Sequence, residues 1–361
     1  HPQPAGVRDG TRPGNTGTLF RQHAVVAALI RRVCGHIRGD FGFHIRCIGE
    51  LRRKIRECLE HVTFAGDFQR EDAEGTVGLE LAPALGIGIP VGKDSLSMRT
   101  RWRVEASSGQ AGQAGDEKQV TAPVSLVVTA FATLDDVRGT LTPQLQAGDT
   151  TLILLDLGAG RTRMAGSMLA QVLGRFGNLE KDGVPDLDEA AALKSLVAAV
   201  NELRAAGRLL AYHDRSDGGL WASVCEMAFA GHLGVSLNVD ILITEGDGIG
   251  DSRAEVGDSK NWASQVGERR NELTLKALFN EEPGVVLQVA TAERDAVISV
   301  LRRHGLARHA HVIGKPNTRG VVEVWRDTKC VFSAPLAELH RQWDEVSWRI
   351  ARQRDNPACA D

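Results

Sequence analysis

At 361 residues, with 42% hydrophobic residues, 25% charged residues and 39 glycines, the chain is long enough for two ordinary domains and has the make-up of a turn-rich α/β enzyme. A net charge of -3 and a pI near 6.5 give no electrostatic basis for holding nucleic acid or an acidic membrane surface, and no apolar run nears the roughly 20 residues of a spanning helix. The first residues are polar rather than signal-like, and the cysteines (Cys34, Cys47, Cys58, Cys225, Cys330, Cys359) are too scattered for a secreted disulfide framework, so reduced thiols and a soluble cytoplasmic protein are expected.

Residues 1 to about 75 differ in texture from the rest, being rich in Arg, His and Cys, with Lys54 their lone lysine. Apart from one short helix over Ala24 to Val33, no apolar period is sustained between Val25 and Cys58, so the segment is of uncertain fold. Cys34, His36, His44 and Cys47 lack the close CxxC and HxxxH pairs of a zinc site.

From Leu79 the pattern becomes regular. A helix is expected over Leu79 to Leu85, a strand over Gly86 to Val91, and then a loop, Gly92-Lys93-Asp94-Ser95-Leu96-Ser97-Met98. Gly109 to Glu117 reads as an exposed connection, Val124 to Leu134 as a buried strand, and Asp135 to Gly148 as a lobe boundary. Strand Thr150 to Leu157 then runs through Gly158-Ala159-Gly160 into a helix over Ser167 to Phe176. A second helix opens with Asp186 three residues before Glu189, a capping arrangement, and keeps Leu193, Leu196, Val197, Val200 and Leu203 on one face.

The alternation continues with strand Leu209 to His213, a helix carrying Leu220, Val224, Met227 and Ala228, and strand Val235 to Ile243. Glu245 to Arg270 reads as a long polar insertion. Gly284 to Val289, Ala292 to His304, His309 to Ile313 and Val321 to Trp325 give strand, helix, strand, strand, and Leu336, Leu339, Trp343, Val346 and Ile350 form the stripe of a connector helix before a polar end.

Four clusters carry candidate chemistry. In Tyr212-His213-Asp214-Arg215-Ser216-Asp217-Gly218-Gly219, carboxylates and a hydroxyl gather where a strand stops and glycines open a helix. A carboxylate there suits Mg²⁺, a hydroxyl suits phosphate oxygen, and free N–H groups at a helix start favour negative charge. The plainer reading is that Asp217 caps the helix and the glycines serve the turn, with Asp214 and Ser216 merely solvated and His213 packed beside them. Gly92-Lys93-Asp94-Ser95 resembles a P-loop only superficially, because no glycine stands five residues earlier and Asp94 follows the lysine; a charged turn is the plainer reading.

Gly158-Ala159-Gly160, with Gly166-Ser167 opening a helix, offers a place for an anion or simply a turn. Asn280-Glu281-Glu282-Pro283-Gly284 puts two carboxylates before a strand, most simply a solvated turn. Hydrolase, zinc-protease and dinucleotide motifs are missing.

Taken in order, IPVGKDSLSM (Ile89 to Met98), SLVVTAFATLDDVRGTLTPQL (Ser125 to Leu145), LLAYHDRSDGGL (Leu209 to Leu220), EMAFAGH (Glu226 to His232), LFNEEPGVV (Leu278 to Val286) and EVSWRIARQRDNPACAD (Glu345 to Asp361) resemble phosphoribosylformylglycinamidine synthase in its large single-chain bacterial form. The resemblance runs from about Gly78 to Asp361 and implies an α/β chain of α+β lobes, with a C-terminal lobe like that of aminoimidazole ribonucleotide synthase and a partial N-terminal lobe. On this basis residues 1–75 are an atypical segment, either disordered or an out-of-frame stretch, 76–147 the partial N-terminal lobe of the second synthetase half, 148–335 the C-terminal lobe, and 336–361 the connector to a glutaminase domain.

The family converts formylglycinamide ribonucleotide, glutamine and ATP to the amidine, ADP, phosphate and glutamate in purine biosynthesis. The resemblance implies Mg²⁺ and ATP or ADP as cofactors, with Asp214 a Mg²⁺ ligand, Ser216 a nucleotide contact and no catalytic residue assigned. It implies that the chain is a fragment, inactive alone, whose partners are its small-molecule substrates, including ammonia from glutamine, and the missing synthetase half and glutaminase, with neither nucleic acid nor membrane. The alternatives are a non-catalytic assembly module that binds Mg-nucleotide for stability and, less in keeping with DRSDGG and GKDSLSM, another superfamily member such as aminoimidazole ribonucleotide synthase.

Overall fold

A computed structural model of the chain describes residues 80–89, 99–103, 117–121, 133, 136–174, 183–244 and 262–360. Residues 1–75, the GKDSLSM loop, most of the Gly109 to Glu117 connection and of the Val124 to Leu134 strand, and the first two thirds of the Glu245 to Arg270 insertion lie outside them. No helix among the described residues is long and apolar enough to cross a membrane.

The chain divides into two compact units, one holding 141–187 and 199–361, the other the described parts of 80–140 with 188–198. In the smaller unit, helix α1 (Ala82–Leu85) ends at Gly86, which takes a left-handed conformation. The apolar run after it is not the expected strand: Ile87 and Ile89 are exposed in irregular backbone, since a short apolar run carries no period that separates strand from loop. Strands β1 (Arg99–Arg103) and β2 (Glu117–Thr121) pair antiparallel as a two-stranded ribbon.

The larger unit is built in chain order from β3 (Thr150–Asp156), α2 (Met168–Val172), the C-terminal part of α3 (Ala190–Ala205), β4 (Ala211–Asp214), α4 (Gly219–Gly231), β5 (Gly234–Asn238), α5 (Asp240–Thr244), α6 (Trp262–Phe279), β6 (Gly284–Ala290), α7 (Arg294–Arg303), β7 (Ala310–Asn317), β8 (Val321–Arg326), β9 (Lys329–Pro335), α8 (Leu336–Arg354) and α9 (Pro357–Ala360). The strands form one sheet in the order β4-β6-β3-β7-β5-β8-β9. Only the β5–β8 pair is parallel, so the strand–helix alternation produces an α+β lobe with a mixed sheet.

β3 lies inside this sheet and is buried along its whole length. Leu152 and Leu154 join Trp221, Met227 and Phe279 in one core cluster, while the alternate residues Ile153 and Leu155 are buried on the opposite face. Helix α4 is buried almost all round, between the sheet and helices α6 and α8. Trp221 meets the ring of Phe332 edge-on at 5.1 Å. On α8, Trp343 donates from Nε1 to Glu226 at 3.1 Å and His340 stacks on Phe229 at 4.9 Å, which docks the expected connector helix against α4.

Several boundaries differ from expectation for local reasons. The strand expected to run to Ile243 stops at Asn238, whose side-chain oxygen accepts the Asp240 N–H and turns the chain into α5. The polar insertion is cut short because α6 begins at Trp262; Leu273 and Ala277 share one buried face of it, and Glu272 pairs with Lys276 at 2.9 Å. On α3, Leu196, Ala199 and Leu203 are buried whereas Val197 is 53% exposed. That helix begins at Ala190, four residues after Asp186, whose carboxylate accepts the adjacent Leu187 N–H. Strand β9 is an additional element, joined to β8 by Asp327 and Thr328, both at positive φ, a two-residue turn without the Asn-Gly or Asp-Gly signal.

Candidate functional site

Strand order places the site. β6 lies between β3 and β4, antiparallel to both, and the register sets Gly284, its first residue, opposite Asp156, the last of β3, while Val285 faces Asp214, the last of β4. Three clusters separated in sequence therefore meet at one end of the sheet: the loop after Asp156, the DRSDGG loop after β4, and Asn280-Glu281-Glu282-Pro283 before β6. The GKDSLSM loop lies outside the described residues.

The DRSDGG loop alternates outside and inside. Asp214, Ser216 and Asp217 are exposed, and Arg215 between them is buried. Its guanidinium donates to Asp156 Oδ1 at 2.5 Å, to the Glu282 carbonyl at 2.5 Å and to the Pro283 carbonyl at 3.3 Å, and its backbone N–H donates to the Gly284 carbonyl at 2.8 Å. Asp156 also accepts the Gly158 and Gly160 N–H groups. Glu282, wholly buried, is clasped by Arg163 through Nε at 2.7 Å and a terminal nitrogen at 2.6 Å, and it also accepts the Arg163 N–H. The "solvated turn" reading of the two glutamates is thus wrong for Glu282. Gly158 packs so closely on that side chain that a Cβ there would lie 2.8 Å from Glu282 Cβ, which explains the glycine.

Burial alone would raise the Asp156 pKa, but the Arg215 charge and hydrogen bond, with the two glycine N–H groups, outweigh it and hold the carboxyl below its ordinary value of 3.8. A depressed folded-state pKa means stability that is present above the unfolded value and lost as pH falls through the folded one. Urea unfolding from about pH 7 to about pH 3 should therefore show a steeper loss at the acid end in the wild type than in Asp156→Asn, and parallel profiles would contradict the assignment.

The helix start departs from expectation. The cap position of α4 is Gly218, at φ 83°, and no side chain caps it, so Asp217 does not play that part. The next residue, Gly219, is at φ 66°, and a Cβ there would lie 2.5 Å from the Asn280 carbonyl oxygen, so only glycine lets this turn seat against the NEEPG loop. The Gly218 N–H is not open for a ligand: it donates to Glu281 Oε1 at 2.8 Å. That oxygen also accepts the Met168 N–H at the start of α2, at 2.9 Å. With Gly158 and Gly160 turned onto Asp156, four backbone donors near these glycine turns are met by the chain's own carboxylates, and the Ala159, Ser167 and Gly219 N–H groups by its carbonyls.

Asp214 sits on a firmly held backbone. Its carbonyl accepts the Ser223 hydroxyl at 3.0 Å and His213 Nδ1 at 2.7 Å, and its carboxylate accepts the Tyr212 hydroxyl at 2.6 Å. His213 Nε2 reaches Glu226 at 3.0 Å, the same carboxylate that Trp343 binds. Both ring nitrogens of His213 face acceptors, which only the doubly protonated ring satisfies. Burial pulls its pKa down, but the Glu226 and Asp214 interactions prevail and raise it. Burial and the Asp214 carboxylate together push the Tyr212 hydroxyl well above its usual pKa, keeping it a donor. His213 thus serves the fold as a packed, bonded group.

The exposed Asp214 carboxylate fits a cation that takes few protein ligands and fills its shell with water and phosphate oxygens, as Mg²⁺ does. No group of three or more His, Cys, Asp or Glu able to hold a metal occurs among the described residues. The motifs give no holding role to Asp156, Arg163, Arg215 or Glu226, although Arg215 and Glu226 stand within them. A lone charge flanked by apolar strand residues, as Asp156 is, was the one available signal.

Residues 147–326 match the family model described as AIR synthase related protein, C-terminal domain, and residues 65–133 match the FGAR-AT PurM_N-like domain. The second match reaches back to Ala65, ahead of Gly78, where the resemblance is expected to begin. Together they support a chain of the PurM/PurL family with an AIR-synthase-like mixed α/β lobe. Similar solved structures include T. maritima PurL complexed with ATP (13% identity, 62% of this chain and 28% of that one, TM-score 0.39). Others are T. maritima PurL complexed with FGAR (14%, 62% and 30%, TM-score 0.41) and the hydrogenase maturation protein HypE of E. coli (17%, 63% and 59%, TM-score 0.36). The chain thus spans less than a third of the PurL chains it matches.

Proposed function

We propose that this chain is the later part of the second synthetase half of a phosphoribosylformylglycinamidine synthase of the large single-chain form, and that its DRSDGG loop binds Mg-nucleotide through Asp214 and Ser216. The observation that carries the reading is the alternation in that loop: two exposed polar side chains flank a buried arginine that ties their backbone to two neighbouring loops. The FGAR-AT PurM_N-like match ahead of the C-terminal domain supports this family over other AIR synthase relatives. In this reading residues 148–335 are the C-terminal lobe and 336–361 the connector. The whole enzyme's activity, its substrates formylglycinamide ribonucleotide, ATP and ammonia, and the further domains it needs all belong to the proposal.

Here Asp214, its carboxylate oriented by the Tyr212 hydroxyl, would hold Mg²⁺, and the Ser216 hydroxyl would donate to a phosphate oxygen. The ion's chemistry is to neutralise phosphate charge during phosphoryl transfer from ATP to the substrate amide oxygen. Arg215 acts from behind the loop. Isothermal titration of the full chain with Mg-ADP tests the reading: Asp214→Asn is expected to weaken Mg-dependent binding by about tenfold or more, the worth of one charge-assisted contact, and Ser216→Ala by less. Wild-type binding that is indifferent to Mg²⁺, or unchanged in Asp214→Asn, would refute it.

A second reading is a module that binds Mg-nucleotide for stability through the same Asp214 and Ser216 and does not turn over. Tight Mg-ADP binding that raises the melting temperature, with no amidine formed from ammonia, ATP and substrate, would select it.

A further inference from the structure

The NEEPG motif is not explained by nucleotide contact, yet it is the most heavily bonded loop at this end of the sheet. Its two glutamates divide the work. Glu282 goes inward to Arg163, whereas Glu281, half-buried, places one oxygen on two backbone N–H groups from different elements: Met168 at the start of α2 and Gly218 at the cap of α4.

Resting on the Mg-nucleotide reading above, we propose that Glu281 is a positioning residue for the Asp214–Ser216 loop, an internal anion that fills the place between the starts of α2 and α4 and so sets where Asp214 and Ser216 stand. Gly218 is two residues beyond Ser216, and the Ser216 carbonyl accepts the Gly219 N–H at 2.8 Å, so a fixed Gly218 fixes the turn that presents the serine. Arg215 anchors the same turn from the other side through Asp156 and the carbonyls of Glu282 and Pro283. The loop is thereby held at both ends by residues from the neighbouring loops. A negative charge at the start of α4 also takes the Gly218 N–H, the cap-position donor that phosphate would otherwise seek. Nucleotide phosphate is consequently left to the Ser216 side chain and to the ion on Asp214, which keeps the ligand on the exposed side of the loop.

The conservative variant separates positioning by hydrogen bonds from a charge effect. A glutamine oxygen accepts both N–H groups, alanine accepts neither, and aspartate, one methylene shorter, does not reach both. In titrations of the full chain with Mg-ADP, E281Q is expected to stay within about threefold of wild type and E281A to weaken by about tenfold or more. If E281A folds poorly, E281D takes its place with the same expectation. Amide hydrogen exchange at Gly218 and Met168 should be slow in wild type and E281Q and fast in E281A. Unchanged affinity in folded E281A, with only its denaturation midpoint lowered, would make Glu281 a plain structural staple and overturn the proposal. Should wild type itself not bind Mg-ADP, the functional reading falls; the clasp then stands if exchange separates E281A from the other two and falls if all three exchange alike.

Discussion

Replacing Arg215 with alanine is expected to lower the unfolding free energy by about 3–5 kcal/mol, the usual cost of leaving one member of a buried ion pair alone. The side chains of Arg215 and Asp156 are only 2% and 9% exposed, so neither charge can turn to water for compensation. Without the guanidinium, Asp156 keeps only the Gly158 and Gly160 N–H groups, and the carbonyls of Glu282 and Pro283 lose a donor in a dry setting. Arg215→Lys should recover little, because a single ammonium cannot spread over one carboxylate and two carbonyls as a planar guanidinium does. Urea denaturation gives the number, and a loss under about 1 kcal/mol would mean that the pair is hydrated in solution. In the folded fraction of Arg215→Ala, Mg-ADP affinity should also fall, since the exposed neighbours of Arg215 owe their placement to it.

Trp221→Ala is expected to cost a similar amount, about 3–5 kcal/mol, through the cavity it opens under α4. Trp221 is wholly buried, packs edge-on against Phe332, and shares its cluster with Leu152, Met227 and Phe279. Its indole N–H finds no acceptor among the described residues. Trp221→Phe should for that reason cost much less, within about 1.5 kcal/mol, because the lost ring volume is offset by removal of an unmet donor. A Phe variant as unstable as the Ala variant would show that the indole N–H is bonded after all. Both effects are read from denaturation midpoints at constant slope, and neither should alter nucleotide affinity of the folded protein, in contrast to Arg215→Ala.

The contrast between these two residues marks how far sequence reading reaches. The stripe Leu220, Val224, Met227 and Ala228 identifies α4 as a buried helix because helical periodicity is a local property, and all four residues are buried. The ends of β3 and β6 fall within one residue of expectation, whereas β4 starts two residues later than expected, and the stripe of α8 is partly buried, with Leu339 fully so. Elements set by a single side chain escaped it: the Asn238 turn that ends β5, and the Asp327-Thr328 hairpin.

The site divides along the same line. From the sequence alone it follows that a polar, glycine-bearing loop joins a strand to a helix at Asp214–Gly219, and that Asp214 and Ser216 are of the right chemical types for a metal and a phosphate. That Arg215 turns inward, that Glu282 is buried on Arg163, and that Glu281 occupies the helix start are decided by the β4-β6-β3 order alone. Each of these contacts joins residues roughly 60 to 120 positions apart, as the Arg215–Asp156, Arg215–Glu282 and Arg163–Glu282 pairs do. Local pattern carries no information over such a span. Only strand pairing brings those carboxylates and donors together, and it is their burial that turns charges expected in solvent into the frame of the loop.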